Sequence, residues 1–308
     1  MAILFFEAIA RPALWGKTLV RDYFGYHEMP FGTGQTWAFS CDEKGSNVCQ
    51  SDPYRGMTLS EIWRDHQELF GREGKPFPVI ISLVGPEESL SVQVHPDTPL
   101  AKKLGFPFGK NEAWYFLECP EDANIIFGHI ATDEKEFCKM AEEDRWDELL
   151  IHYPVKAGDF VYTPAGVVHA VGKGCVTYEI QQATDVTYRL YDFHRIDRNG
   201  KERQLDVEKG MECVKYDPAL WANEVHPVTE KLKNGERTIF ISNDSFTVSR
   251  LNVHGECSFC DENYQLATVV AGMGKADGIT VKIGDSFLIP QKEKVQFSGN
   301  MTVMMTRN

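Results

Sequence analysis

A ten-residue pattern of this chain occurs twice, with five of its residues identical in both copies, and this repeat constrains the fold more than any other feature. VKAGDFVYTP at residues 155–164 returns as VKIGDSFLIP at residues 281–290. In both copies a Gly-Asp turn leads into a short, mostly apolar run that ends at proline, a pattern typical of a β-strand between two turns. The repeat therefore predicts two β units of the same kind, one in each half of the chain.

The chain between the two copies predicts where one unit ends and the next begins. A linker-like stretch, WANEVHPVTEKLKNGE, separates them, and 308 residues suit about two domains. We expect a larger domain over residues 1–222 and a smaller β domain over residues 223–308. The larger domain should contain helical insertions, because capping-box patterns begin at Thr58 and Asp133.

The composition argues against several classes of function. A net charge of −13 disfavours nucleic acid as a partner, since phosphate binding needs a basic surface. No apolar run approaches the roughly 20 residues of a membrane span, and the N-terminal segment lacks a signal-peptide pattern. The eight cysteines are scattered singly except in CSFC at residues 257–260, which predicts free thiols. We therefore expect a cytoplasmic protein without membrane or nucleic-acid partners.

Two histidines, a glutamate and a glutamine could meet at one site. In SVQVH, Gln93 and His95 lie two residues apart and project from the same face of a strand. Glu112 opens an apolar strand, where a buried carboxylate has to be paired or bound to a cation. His169 enters the strand that follows the first repeat copy. A single strand histidine is more often a structural residue, but the four together indicate a metal site.

Charged residues that could act on a bound molecule accompany this group. Lys110 lies two residues before the strand glutamate and on the same face. If DVTYRLY is extended, four of its side chains share a face: Asp185, Thr187, Arg189 and Tyr191. The alternative interpretation of the Asp185 and Arg189 pair is a surface ion pair of little energetic value.

Several motifs together resemble one known family. The spacing of Gly158, Pro164, Gly166 and His169 is similar to the second motif of the cupin superfamily, whose small β-barrels hold a metal in their mouth. More narrowly, four motifs resemble type I mannose-6-phosphate isomerases in their short bacterial form: SLSVQVHPD, GKNEAWY, PAGVVHA and YEIQQATDVTYRLYD. The resemblance extends with few gaps over residues 11 to about 218.

The resemblance implies a mainly β fold of two cupin-like (jelly-roll) β-barrel domains with helical insertions. By the offset of the repeat, Val295 in the second unit corresponds to His169 in the first. The second unit is therefore expected to lack metal ligands and to serve a structural purpose.

The resemblance also implies a ligand set and catalytic residues. The residues that match the family's ligands for one zinc ion are Gln93, His95, Glu112 and His169. The family's catalytic arginine matches Arg189, its K-x-E lysine matches Lys110, and an aspartate that shuttles protons matches Asp185.

These matches imply an aldose–ketose isomerase that interconverts D-mannose 6-phosphate and D-fructose 6-phosphate. The reaction proceeds through a cis-enediol, so the site has to stabilise an oxyanion and supply a base. Zinc with an open coordination position can polarise the reacting oxygens. Either Lys110 or Asp185 could take the proton. The expected partner is a small sugar phosphate, and the expected assembly is a monomer or homodimer.

Two departures from the family pattern affect the expected rate or substrate range. Ser82 stands where relatives often have a lysine, and Gln35 replaces a carboxylate in the GE-x-W pattern. A non-catalytic sugar-phosphate-binding cupin is therefore one alternative function. An iron-dependent cupin oxygenase, with two histidines and a carboxylate around iron, is another. Gln93 as a fourth ligand and Lys110 beside the group argue against the oxygenase.

Overall fold

The computed structural model describes residues 3–71, 75–197 and 199–308, and strands predominate in it, as the sequence predicts. The strands are β1 (Leu4–Phe6), β2 (Ile9–Pro12), β3 (Thr33–Phe39), β4 (Cys41–Asp42), β5 (Gly45–Ser46), β6 (Val79–Val84), β7 (Val92–Val94), β8 (Glu112–Glu118), β9 (Asn124–His129), β10 (Leu150–Pro154), β11 (Phe160–Thr163), β12 (His169–Ala170), β13 (Val176–Gln182), β14 (Tyr188–Tyr191), β15 (Val228–Leu232), β16 (Gly235–Ser242), β17 (Thr247–His254), β18 (Cys257–Cys260), β19 (Gln265–Ala276), β20 (Ile279–Lys282), β21 (Ser286–Ile289) and β22 (Lys294–Arg307). The helices are α1 (Leu19–Phe24), α2 (Leu59–Asp65), α3 (Thr98–Lys103), α4 (Glu134–Glu142), α5 (Trp146–Leu149) and α6 (Val207–Met211), with 3₁₀ turns at Gln67–Leu69 and Pro218–Trp221. Among the residues described, every helix is too short or too polar to span a lipid bilayer.

The strands form three large antiparallel sheets and one small hairpin. A five-stranded sheet has the order β10-β9-β12-β7-β14, and a six-stranded sheet has the order β11-β8-β13-β6-β3-β2. A nine-stranded sheet runs β1-β21-β19-β22-β17-β16-β15, with β18 on β22 and β20 on β19, while β4 and β5 pair with each other. In the described part of the chain none of these strand orders closes on itself. The mainly β fold is thus confirmed, and the two barrels are not.

The six-stranded sheet is packed on both faces. On β8, Trp114 and Phe116 enter a core shared with the five-stranded sheet. Tyr115, between them, enters a second core shared with the nine-stranded sheet. This division follows from the alternation of side chains along a strand. Tyr178 on β13 joins the second core, and its hydroxyl lies 3.0 Å from the hydroxyl of Thr306.

The two repeat copies adopt the same turn. Gly158 and Gly284 have φ values of 93° and 92°, in the left-handed region that glycine adopts without strain. The aspartate after each glycine accepts a backbone N–H from three residues earlier, at 2.9 Å in the first copy and 2.8 Å in the second. The strands that follow are β11 and β21. Beyond them His169 and Val295 are each 1% exposed, so the second unit has a buried apolar side chain where the first has a histidine.

The N-terminal strand joins the sheet that contains the second repeat copy. β1 pairs with β21, with Leu4 opposite Leu288. The ring of Phe5 lies 5.4 Å from that of Phe287. Three apolar residues at the start of a chain do not indicate a partner at its far end, so the sequence does not reveal this pairing. If the chain is divided after residue 222, β1 belongs to the first segment but pairs with a strand of the second.

The predicted helical insertions are present. At α2 the Thr58 hydroxyl accepts the Glu61 N–H at 3.3 Å, and the Glu61 carboxylate accepts the Thr58 N–H at 2.8 Å, which completes the capping box. At α4 the Asp133 carboxylate caps the Glu136 N–H at 2.8 Å. The Glu136 carboxylate instead accepts the N–H of Thr132, one residue earlier than a capping box requires.

Candidate metal centre

Three buried residues bring their ligand atoms together between the five-stranded and six-stranded sheets. His95 follows β7, Glu112 begins β8 and His169 begins β12, and their ligand atoms all lie within 4.8 Å of one another. Each Glu112 oxygen faces one imidazole: Oε1 lies 3.3 Å from His95 Nε2, and Oε2 lies 3.2 Å from His169 Nε2. The three side chains are only 1–2% exposed. The predicted convergence of these residues is therefore present.

The backbone aligns the two histidines and the glutamine. β12 pairs with β7 so that His169 lies opposite Gln93, and Gln93 Nε2 is 3.3 Å from His169 Nε2. The turn before His169 is bonded to the other histidine, because the N–H of Gly166 donates to the His95 carbonyl at 3.0 Å. Gly166 has a φ of 91°, and a Cβ there would lie 2.8 Å from the Cys213 carbonyl oxygen. Glycine is thus required where this turn approaches the neighbouring chain.

Backbone carbonyls fix the tautomers of both imidazoles. His95 Nδ1 lies 2.9 Å from the Val186 carbonyl oxygen, and His169 Nδ1 lies 2.9 Å from that of Val167. A carbonyl can only accept, so each Nδ1 has the hydrogen and each Nε2 presents a lone pair to Glu112. Burial, reinforced by the Lys110 charge, lowers the pKa of His95 to about 4. The His95 ring is therefore neutral near pH 7 and suited to bind a metal.

Two of the facing atoms, one on His95 and one on Glu112, are acceptors that no donor of the described residues reaches. His95 Nε2 and Glu112 Oε2 are both buried without a hydrogen-bond partner. A buried polar atom left unsatisfied costs about 1–3 kcal/mol. A cation among the lone pairs would satisfy them at once. Two imidazoles and a carboxylate also form a donor set that zinc accepts. Gln93 presents its amide nitrogen to His169 here, and its side chain would have to turn its oxygen toward the ion to complete the set. The residues present thus fit a metal ion.

Lys110 adds a buried positive charge to the centre. Its Nζ lies 3.1 Å from Glu112 Oε1 and 3.4 Å from the Thr187 hydroxyl, and its side chain is 4% exposed. Burial raises the pKa of Glu112, but Lys110 and the neighbouring histidines outweigh it and hold that pKa well below its usual range. Glu112 is therefore a carboxylate throughout the neutral range. Lys110 lies close enough to reach any molecule bound beside Glu112.

Glu179 is a buried residue beside the centre to which the sequence motifs give no role. It lies on β13, is 7% exposed, and accepts a hydrogen bond from Trp114 Nε1 at 3.1 Å. Burial, with repulsion from Glu112, raises its pKa to about 8. The signal was available, since YEIQQ places a carboxylate on a strand buried on both faces, the same argument that identifies Glu112.

Ser82 and Gln35, the two departures from the pattern that the sequence resembles, contact each other, and Ser82 lies opposite Glu179. Ser82 on β6 is paired directly opposite Glu179 and is fully buried. Its hydroxyl accepts a hydrogen bond from Gln35 Nε2 at 2.9 Å. Both hydrogen-bond partners are neutral. A lysine in place of Ser82 would put a positive charge beside Glu179, and serine does not. The departures therefore favour the protonated form of Glu179.

Glu179→Gln should make the protein less sensitive to rising pH. The native state keeps Glu179 protonated up to about pH 8, while the unfolded chain releases this proton near the ordinary value of 4.5. The parent therefore loses stability as the pH rises between these values. The neutral variant should gain over the parent by up to a few kcal/mol above pH 8. Urea unfolding of both proteins from pH 5 to pH 9 measures this difference. Parallel stability curves would contradict a protonated Glu179.

Asp185 lies in the segment before β14 and contacts a lysine rather than Arg189. Its Oδ2 lies 2.5 Å from Nζ of Lys44, at the tip of the β4–β5 hairpin. Burial raises the pKa of Asp185, but Lys44, Lys110 and Arg11 outweigh it and lower that pKa below the ordinary value. Among the ion pairs of the described residues, none joins Asp185 to Arg189. The surface ion pair considered from the sequence is therefore absent.

Arg189 lies on β14 opposite Gln93, and its guanidinium reaches the neighbouring loop. Nη1 donates to the Gln204 carbonyl at 3.1 Å, while Nε is buried without a partner. Burial, with repulsion from Arg203, lowers its pKa from the usual value. The prediction that the alternate residues from Asp185 to Tyr191 share one face is wrong at Tyr191, because the register shifts between Arg189 and Tyr191. Tyr191 instead stacks on Trp146, with ring centroids 4.7 Å apart.

The fold and site together define a mainly β protein with a buried His–Glu–His group of the kind that holds a metal ion. Comparisons with known proteins identify the family within this class. The family model described as phosphomannose isomerase type I, catalytic domain, matches residues 4–123. The model described as mannose-6-phosphate isomerase, cupin domain, matches residues 236–308.

Individual relatives agree with the family models. The chain is 40% identical over 294 residues to mannose-6-phosphate isomerase ManA of Bacillus subtilis (strain 168), covering 93% of this chain and 92% of that protein. A crystal structure of the mannose 6-phosphate isomerase from Bacillus subtilis is 33% identical, with a TM-score of 0.95 and full coverage of both chains. A zinc-bound mannose 6-phosphate isomerase shares the fold at 15% identity, with a TM-score of 0.77 and full coverage of both chains. This chain belongs to the type I phosphomannose isomerase family.

Proposed function

We propose that this protein interconverts D-mannose 6-phosphate and D-fructose 6-phosphate and uses one zinc ion per chain. The observation that supports this most is the buried group of His95, Glu112 and His169 with Lys110 against it. It occurs in a chain that is 40% identical over nearly its full length to a mannose-6-phosphate isomerase. The group offers lone pairs to a cation and a buried amine to the molecule that the cation holds.

The residues proposed to hold the ion are Gln93, His95, Glu112 and His169. Zinc accepts imidazole nitrogen and carboxylate oxygen in four-coordinate sites that keep a position open for substrate. When bound, it would act as a Lewis acid toward the adjacent sugar oxygens. Because Glu112 is the one charged ligand in this set, the loaded centre would stay positive and favour an anionic substrate.

We assign the proton transfer to Lys110 rather than to Asp185. Aldose–ketose isomerisation moves a proton between the C2 and C1 carbons of the sugar through a cis-enediol. Lys110 Nζ lies 3.1 Å from an oxygen of Glu112, so a sugar carbon beside the ligand set falls within its reach. The Asp185 carboxylate already pairs with Lys44, and its lowered pKa makes it a weak base.

Arg189 is the proposed anchor for negative charge on the substrate. Its guanidinium is partly buried, and its Nε has no hydrogen-bond partner. A planar guanidinium binds phosphate or a developing oxyanion with two parallel hydrogen bonds. Its position opposite Gln93 keeps it beside the proposed ligand set.

The proposed architecture is two jelly-roll barrel domains, over residues 1–222 and 223–308. Only the first would be active, since Val295 replaces the histidine in the second. The enzyme would act in the cytoplasm as a monomer or homodimer.

A coupled assay with mannose 6-phosphate tests the activity. Fructose 6-phosphate formed by the purified protein is converted by excess glucose-6-phosphate isomerase and dehydrogenase, and the metal content of the same sample is measured. We expect sustained turnover and about one zinc per chain. Tight sugar-phosphate binding without product would instead identify a sensor, an outcome that the neutral Ser82 and Gln35 pair makes worth testing. Iron with oxygen-dependent turnover would identify an oxygenase.

A further inference from the structure

Two cysteines lie at adjoining positions where a pair of strands ends. Glu118 on β8 is opposite Val176 on β13, and this is the last pair of the ladder. The next residue outward on each strand is a cysteine, Cys119 on one and Cys175 on the other. Opposite residues of antiparallel strands have Cα atoms about 4.5–5.5 Å apart. The register shifts between Val176 and Thr177, and continuing the ladder by one residue past this shift places the two cysteines opposite each other, within the Cα separation of about 4.4–6.8 Å that a disulfide needs.

The two thiols are in contact and differ in character. Hydrogen bonding from the Cys175 thiol lowers the pKa of Cys119, and the same contact together with burial raises the pKa of Cys175. Cys119 is partly exposed, whereas Cys175 is fully buried. Cys119 is therefore the thiol that a small solvent-borne oxidant can reach, and Cys175 is a partner shielded from that oxidant.

The other half-exposed or paired cysteines lack this arrangement. Cys257 and Cys260 lie three residues apart on β18, so their side chains point to opposite faces, one buried and one exposed. Cys41 and Cys138 are partly exposed, but burial raises the pKa of both thiols, and nearby carboxylates add to the effect at Cys138. Among the described cysteines, Cys119 and Cys175 therefore form the pair best placed to react with each other.

We propose that Cys119 and Cys175 form a peroxide-reactive dithiol site that closes to a disulfide. The Cys119 thiolate attacks one oxygen of hydrogen peroxide, an S–O bond forms, the O–O bond breaks, and the departing hydroxide takes a proton to become water. The Cys175 thiol then attacks the Cys119 sulfenic acid, an S–S bond forms, the S–O bond breaks, and a second water leaves with the thiol proton. One peroxide is reduced to two waters while the two thiols lose two electrons.

The disulfide would join two strands of the six-stranded sheet at the end away from the metal centre. Glu112 begins β8 and Cys119 follows its last residue, which places them about 20 Å apart along the strand. The bond would close the chain between Cys119 and Cys175 into a loop, which restricts the unfolded state. The oxidised protein should therefore melt several degrees higher than the reduced protein, with its isomerase activity retained.

Peroxide treatment of the full-length protein tests this site. Reduced protein is exposed to one equivalent of hydrogen peroxide, and its intact mass and non-reduced peptide map are measured. We expect a mass loss of about 2 Da and a crosslink between the peptides of Cys119 and Cys175. Cys138→Ser, a matched change at another partly exposed cysteine, should crosslink like the parent, whereas Cys119→Ser should not.

A variant of the second cysteine separates sulfenic acid formation from disulfide formation. Cys175→Ser should leave a sulfenic acid on Cys119 that a dimedone probe labels, because the second thiol is missing. The non-reduced peptide map of the unsubstituted protein tests the proposal by itself, even if a substituted protein fails to fold. A parent whose Cys119 and Cys175 remain reduced, or become overoxidised without a crosslink, would overturn it.

Discussion

His169→Ala is expected to lose the metal and to lower kcat by at least about 10³-fold, because the fold supplies no substitute ligand at β12. The imidazole is held by the Val167 carbonyl through Nδ1 and faces Glu112 through Nε2. Its removal would leave the Glu112 carboxylate with one imidazole fewer around the cation. Zinc content by elemental analysis and turnover of mannose 6-phosphate measure the two effects.

His129→Ala is the matched control for this experiment. His129 is also buried, lies in the same five-stranded sheet and contacts a backbone carbonyl, that of Lys215, at 3.0 Å. It lies outside the candidate metal group. We expect this variant to keep its zinc, although loss of a packed ring should cost about 2–4 kcal/mol of stability. If His169→Ala kept a full complement of zinc and normal turnover, the ligand assignment would be wrong.

Lys110→Met is expected to keep the metal and to lose about 10²- to 10⁴-fold in kcat. Methionine preserves most of the length and apolar volume of the buried stem but has no proton to exchange. Its effect should fall mainly on kcat, since a base acts in the transition state more than in substrate binding. Zinc content, KM and kcat for mannose 6-phosphate separate the loss of a base from the loss of the centre.

Asp185→Asn is the comparison that decides between the two candidate bases. The amide can still accept a hydrogen bond from Lys44, so the hairpin contact should survive. We expect a loss below about tenfold in kcat, far smaller than for Lys110→Met. The reverse ranking of the two variants would assign the proton transfer to Asp185.

The alternation rule predicted much of the centre from the sequence. In SVQVH, Gln93 and His95 were expected on one face, and both point toward His169 and Glu112. This rule succeeds for strands that are buried on one or both faces, because the side chains have no other choice of direction. The same rule could have identified Glu179, whose burial in β13 demands the explanation given for Glu112.

Long-range pairing and local irregularity could not be predicted in the same way. The Lys44 and Asp185 contact joins a surface hairpin to a segment far along the chain, and no periodic pattern encodes it. The register shift after Arg189 turns Tyr191 toward Trp146, although simple alternation would keep the tyrosine beside the arginine. A strand's period gives its faces only while its ladder is regular. The crossing of β1 into the distant sheet is likewise a property of the whole fold.

The internal repeat predicted turn geometry more closely than it predicted architecture. Gly158 and Gly284 adopt nearly the same left-handed φ, as two copies of one turn should. Closure of a sheet into a barrel depends on the pairing of its edge strands, which lie outside the repeated segment. A short repeat therefore identifies equivalent strands without fixing how each sheet ends.

Turnover is expected to depend on a metal ion held by Gln93, His95, Glu112 and His169. The most direct measurement is the rate of fructose 6-phosphate formation from mannose 6-phosphate before chelation, after removal of the metal is verified by elemental analysis, and after addition of one equivalent of zinc. We predict that activity disappears with the metal and returns with the zinc. Turnover that continues unchanged in the verified metal-free protein would contradict the account.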